Sequence, residues 1–457
     1  MLNSVELITN RSQGNLTWTN NTNLIIFAFS SVFYVRIFCT ITKAPPVLNH
    51  AHFIIVPLVL WIVLSTTTIK NAQQIKLINS LLLALFIFLV AILASAFWNG
   101  AGLINAVASF MMLGEPMMFL VAIACIPMSP ESFTRIKRWF MGSVLINFAL
   151  AAVQKPLIDA NKLYADGFDG TDGCGGVFFV SGAGNYVSAS ISIAFAIYFL
   201  LNGKDFPLWS RITALLAAFW QLLFSDSKQL VLAYLLAWIL LTIFNFKDVG
   251  KTIKLLVGIA ITGIIFFWCI QNIEEFQAFT AWARPELYGK NGDAWFTKFY
   301  SVKAILTEFD SWGNWLFGLG PGHTVSRLGA WFMQDYQWIL APLGATTTSI
   351  GIDSREFINN FWLAYSSSLF SPIFGWAGIW GDLGVVGLSA YLFLVYLIWK
   401  HFGLDNSLKI TLLATLILGF IFTQIEEPGY MLSMALMLGL AWHQKRLKFE
   451  QNQQLQI

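Results

Sequence analysis

Residues 77–98 read LINSLLLALFIFLVAILASAFW, with no charge and only Asn79, Ser80 and Ser95 as polar interruptions. A helix rises about 1.5 Å per residue, so a run of this length matches a hydrocarbon core of about 30 Å. Eleven further apolar runs resemble it, near 24–41, 51–69, 103–127, 139–157, 184–201, 211–224, 229–246, 253–270, 375–399, 408–423 and 430–444. The whole chain agrees with this stretch. Of 457 residues, 57% are hydrophobic, 16% aromatic and only 11% charged, against roughly 25% charged in an ordinary soluble domain. Too little charge is available to cover the surface of a water-soluble molecule of this size. A soluble enzyme, a disordered chain, a collagen and a basic nucleic-acid binder are excluded. The expected fold class is an all-α polytopic integral membrane protein of about twelve transmembrane helices. The pair 211–224 and 229–246 is separated by Ser225-Asp226-Ser227-Lys228 alone, and a re-entrant hairpin remains an alternative there.

Orientation follows from the lysines and arginines of the short loops. Loops after even-numbered spans and the C-terminal tail hold most of them, including Arg135, Lys137, Arg138, Lys251, Lys254, Lys400, Lys409, Lys445, Arg446 and Lys448. Both termini are therefore expected on the cytoplasmic side. The sequons at Asn10, Asn15 and Asn20 then face the cytoplasm and read as chance matches. The four cysteines, Cys39, Cys125, Cys174 and Cys269, read as small hydrophobes rather than a disulfide or metal set. The chain divides into spans one to nine (1–270), one long outer loop (271–374), and spans ten to twelve with a tail (375–457). A loop of that length is usually functional. Its tryptophans, among them Trp282, Trp295, Trp312, Trp315, Trp331 and Trp338, predict short interfacial helices. Within the spans, Arg36 and Glu115 are the notable charges, and a mutual pair is one way to hold them.

Four motifs follow one another. Gly175-Gly-Val-Phe-Phe-Val-Ser-Gly182-Ala-Gly184-Asn185-Tyr186 precedes span six, and Phe224-Ser225-Asp226-Ser227-Lys228-Gln229 forms an outer turn. Trp315-Leu-Phe-Gly318-Leu-Gly320-Pro321-Gly322-His323 lies in the long loop, and Gly381-Asp382-Leu-Gly384-Val-Val-Gly387 opens span ten. In this order they resemble the superfamily of bacterial O-antigen polymerases and O-antigen ligases, over roughly residues 175–400. Two departures stand out. The family's Ser-Arg turn reads Ser227-Lys228 here, which loses the planar guanidinium fork. The His-Asn pair of ligases is absent from Phe357-Ile-Asn359-Asn360, which favours a polymerase-like member.

The resemblance implies glycosyl transfer at the periplasmic face of the bacterial inner membrane. Donor and acceptor are polyprenyl-diphosphate-linked glycans, and a chain-length regulator and a flippase are implied partners alongside membrane lipids, with no nucleic acid. Diphosphate leaves, so cations must meet it: Ser227 with Lys228, then Arg284, Arg327 and Arg355, with Asn185, Gly320 and Gly322 shaping the substrate site. A base must take the acceptor proton, and His323, Glu356 and Asp382 are the candidates, with Asp353 and the pair Glu426-Glu427 behind them. No metal-ligand spacing is visible, so no metal or other cofactor is expected. A ligase and a lipid-linked-glycan transporter remain the alternatives.

Overall fold

A computed structural model describes residues 21–454 apart from 70, 164–172, 180–182, 245–248, 274–275, 277–279, 281–283 and 290–291. The sequon asparagines Asn10, Asn15 and Asn20, together with Gly182 and Trp282, lie outside the described residues. Every regular element among those described is a helix. Six helices are long and apolar enough to cross a bilayer. They lie at Pro46–Thr66, Ala72–Trp98, Leu103–Cys125, Pro130–Asp159, Gly184–Asn202 and Ser368–Phe402. The first expected span is broken instead, into α1 (Asn21–Phe33) and α2 (Val35–Thr42), bent by 57°, and it makes a seventh if the pair is one span. Then come α3 (His52–Thr66), α4 (Ala72–Trp98), α5 (Leu103–Cys125), α6 (Pro130–Asp159) and α7 (Gly184–Asn202). Next are α8 (Leu208–Phe224), α9 (Gln229–Phe244) and α10 (Val249–Asn272), of which α8 and α9 are only 17 and 16 residues long. The short turn expected between those two is present at Ser225–Lys228.

The described helices carry their apolar surface outward as well as inward. Phe97, Ile54, Leu103, Trp61, Phe86 and Leu145 are all exposed, an arrangement that suits a lipid solvent and would aggregate in water. Central to the bundle is α5, buried along almost its whole length and packed against α3, α4 and the last helix. Local signals set the helix starts: Asn71 accepts from the Gln73 and Gln74 amides to cap α4, and Ser129 caps α6.

Residues 271–374 hold short helices in place of a span, among them α11 (Asp293–Thr307), α12 (Trp312–Phe317) and α13 (Ser349–Asn360). A second apolar core of Ile305, Phe309, Val325, Ile350, Phe374 and Ala377 joins them to α14 (Gly375–Phe402). The chain closes with α15 (Asn406–Leu418) and α16 (Pro428–Gln454); α16 runs straight through what reads in sequence as a tail.

The feature that matters most for the site is a break in α14. Gly384 sits at φ 63° and ψ −165°, outside helical geometry. The break frees the carbonyls of Gly381 and Asp382, and these accept from the amides of Leu319 (2.8 Å) and Gly320 (3.0 Å). Ser95 on α4 also donates to the Asp382 carbonyl at 2.8 Å. The loop is thus sewn into an interrupted helix by backbone bonds.

Candidate functional site

The third and fourth sequence motifs meet at this break. The Asp382 carboxylate is buried and receives four donors: the Gly322 amide (2.8 Å), the Thr324 amide (2.9 Å), the Thr324 hydroxyl (2.6 Å) and the Ser326 hydroxyl (2.6 Å). A carboxylate accepts about four hydrogen bonds, so its capacity is used. Gly320 and Gly322 both have positive φ, 108° and 73°, which lets the chain wrap tightly around the acid. His323 is equally committed. Its Nδ1 lies 2.9 Å from the Leu319 carbonyl and its Nε2 2.7 Å from the Thr346 hydroxyl. The Leu319 carbonyl can only accept, so Nδ1 carries a proton, and Nε2 is engaged by the Thr346 hydroxyl, which also accepts from the Gly102 amide at 3.2 Å. Asp382 and His323 are positioning groups in this arrangement rather than open bases.

What they position is Arg327, the next residue after Ser326. Its amide donates to Glu426 Oε2 at 2.7 Å, and its guanidinium pairs with Glu427. Burial, reinforced by the nearby Arg36, pulls the Arg327 guanidinium down to about 9. Arg36, from α2, has no ion-pair partner among the described residues; Tyr336 and Arg327 are its electrostatic neighbours. His50 stands beside both arginines, its ring edge-on to Phe332 and Tyr336 with centroids 4.8 and 5.1 Å away. Five buried polar atoms without a protein hydrogen bond lie in these segments: Asn49 Oδ1, His50 Nδ1, both amide atoms of Gln424, and Glu426 Oε1. Such atoms are rare in folded proteins, and a group of them around two arginines is the chemistry of a polar-ligand site.

Burial pushes the Glu426 carboxyl up to about 8, against the opposing pull of the Arg327 amide and charge. At neutral pH it is therefore largely protonated, which leaves Glu427 as the carboxylate paired with Arg327 and leaves Arg36 without an ion-pair partner among the described residues. The sign of the linked stability follows. A carboxyl raised in the folded state binds more protons there than in the unfolded chain, so its stabilisation is full below about 4.5 and is lost as pH rises through about 8. Thermal unfolding in detergent should fall over this window, and Glu426→Gln should flatten the fall. An identical pH slope in the variant would refute the assignment.

The other sequence candidates form a second group or stand apart. Asn185 donates to the Ser225 carbonyl at 3.0 Å, the Ser227 hydroxyl donates to the same carbonyl at 3.1 Å, and Lys228 pairs with Asp226 at 2.7 Å. The first and second motifs therefore join, as the third and fourth do. Tyr186 links this group toward the loop through Ser368 and Phe422. Arg355 is engaged at the surface by Asp335 (2.7 Å) and lies over the Trp331 ring. Arg284 and Glu356 are exposed. The Arg36–Glu115 pair considered from sequence is not formed, because Glu115 pairs with His52 instead. Arg36, His50, Tyr336 and Gln424 carry no motif; a signal for Arg36 existed only in the cost of a charge inside an apolar run. No protein-family model and no curated protein matches the chain.

Proposed function

We propose that the chain is a membrane glycosyltransferase that joins polyprenyl-diphosphate-linked oligosaccharide repeats into a surface polysaccharide, as a polymerase-like relative of the O-antigen polymerases and ligases. In this reading twelve spans cross the bacterial inner membrane, some by way of short helices, with 271–374 on the periplasmic face. The observation that carries it is the Arg36–Arg327 pair, two half-buried arginines with unsatisfied polar atoms in the neighbouring segments. A diphosphate leaving group gains charge as the glycosidic bond breaks, and fixed cations in a water-poor site are the effective way to meet it. Lys228, near Tyr186, then serves the neighbouring lipid-linked substrate.

The test is polymer formation by Arg36→Ala and Arg327→Ala at normal protein abundance. Each should lower transfer by about 10²–10³-fold, the scale of losing one such electrostatic contact, and leave single repeats at the surface. Normal polymer length in either variant would overturn the reading. Full-length chains stranded on the carrier would mean a ligase instead. Lipid-linked sugar moved across vesicles without glycosidic product would mean a transporter.

A further inference from the structure

One buried titratable pair takes no part in holding the loop. His52 opens α3 and faces Glu115 in α5, with Nδ1 2.8 and 2.9 Å from the two carboxylate oxygens. The side chains are 4% and 0% exposed. The contact orients the ring: Nδ1 carries a proton toward the carboxylate, and Nε2, on the far side, has no protein partner among the described residues. A buried carboxylate behind an imidazole fixes tautomer and orientation, and it stabilises the imidazolium once a proton is taken up. The His50 ring lies 6.1 Å from that of His52, centroid to centroid, and the same His50 ring is within electrostatic range of Arg36 and Arg327. The dyad is therefore linked through His50 to the arginine pair. Phe53 and Phe332 complete an aromatic rim around it.

We infer that His52, oriented by Glu115, is the general base of the transfer reaction; this rests on the transferase reading above. The acceptor hydroxyl gives its proton to His52 Nε2 as its oxygen bonds to the anomeric carbon of the donor sugar. The bond from that carbon to the diphosphate oxygen breaks, and its electron pair leaves with the diphosphate, where Arg36 and Arg327 meet the added charge. His52 returns its proton to water when the product departs. Both ring nitrogens of His323 and all four acceptor positions of Asp382 are already engaged.

The experiment compares His52→Asn with wild type in lipid nanodiscs, using a polyprenyl-diphosphate-linked oligosaccharide as donor and acceptor. The Asn amide nitrogen stands near the place of Nδ1 and keeps a donor to Glu115, while the basic Nε2 is gone. Transfer should fall by about 10²–10⁴-fold, the usual contribution of general base catalysis, with donor binding and unfolding temperature unchanged. The acid limb of the wild-type pH–rate profile should vanish with it. Glu115→Gln should lower kcat with little effect on KM. A folded, donor-binding His52→Asn that transfers within threefold of the wild-type rate would overturn the assignment. Loss of donor binding or of thermal stability in His52→Asn would make the pair structural and overturn it too. Wild-type protein that binds donor but yields no product, or that binds none, sinks the transferase reading itself.

Discussion

Gly384→Ala should abolish accumulation of folded protein. Gly384 holds φ 63°, a backbone region that an L side chain rarely adopts. The added Cβ would also lie 2.4 Å from the Leu316 carbonyl oxygen and 2.5 Å from the Gly318 nitrogen. Both obstacles are backbone, so no side chain can swing away. Restoring regular helix at this position would remove the clash but would also close the Gly381 and Asp382 carbonyls to Leu319 and Gly320. Either response undoes the seam between loop and bundle. Gly142→Ala is the control: it sits in α6 with nothing within 4 Å of its Cβ position, and Ala is favoured over Gly in a helix by about 1 kcal/mol. Size-exclusion profile and tryptophan-fluorescence melting in detergent read the result. Wild-type behaviour of Gly384→Ala would show that the break is not required.

Asp382→Ala should lower stability by several kcal/mol, because each buried donor left without its acceptor costs about 1–3 kcal/mol. Four donors lose their acceptor at once: two amides and two hydroxyls of the 322–326 segment. None of Asp382, Thr324 or Ser326 is more than 5% exposed, so water is poorly placed to substitute. Asp382→Glu should not rescue, because the extra methylene moves the carboxylate off the four donors arranged around it. Limited proteolysis offers a second measurement. Cleavage within 319–348 should become rapid in Asp382→Ala and stay slow in wild type. Equal protection in both would remove Asp382 from its place as the clamp of this segment.

Much of the helical architecture was legible because apolar run length is a direct physical demand of a lipid solvent. The break at Tyr34 between α1 and α2 was not, since no proline or glycine occurs from Asn21 to Lys43 to mark it. The ordered motifs pair up in space: Asn185 reaches Ser225, and the Gly322 amide of Gly320-Pro321-Gly322 donates to Asp382. What sequence could not give was the division of labour inside them. His323 looks like a free histidine until Thr346, 23 residues away, is seen to engage its Nε2. His52 and Glu115 are 63 positions apart, and nothing in the local pattern of either announces the other. Arg327 was legible as a loop cation, but its Arg36 neighbour comes from the far end of the chain.

The break in α14 also fixes an order of assembly. In the hydrocarbon, a backbone carbonyl without a partner is worth several kcal/mol of instability, and α14 offers two of them, at Gly381 and Asp382. Their partners, Leu319 and Gly320, lie some sixty residues earlier and leave the ribosome first. The donors are already made when the acceptors emerge, so α14 can settle onto a waiting template. A circular permutant that made α14 before residues 319–326 would have to insert this helix bare, and should be retained as a misfolded species even though every contact of the finished protein is still encoded.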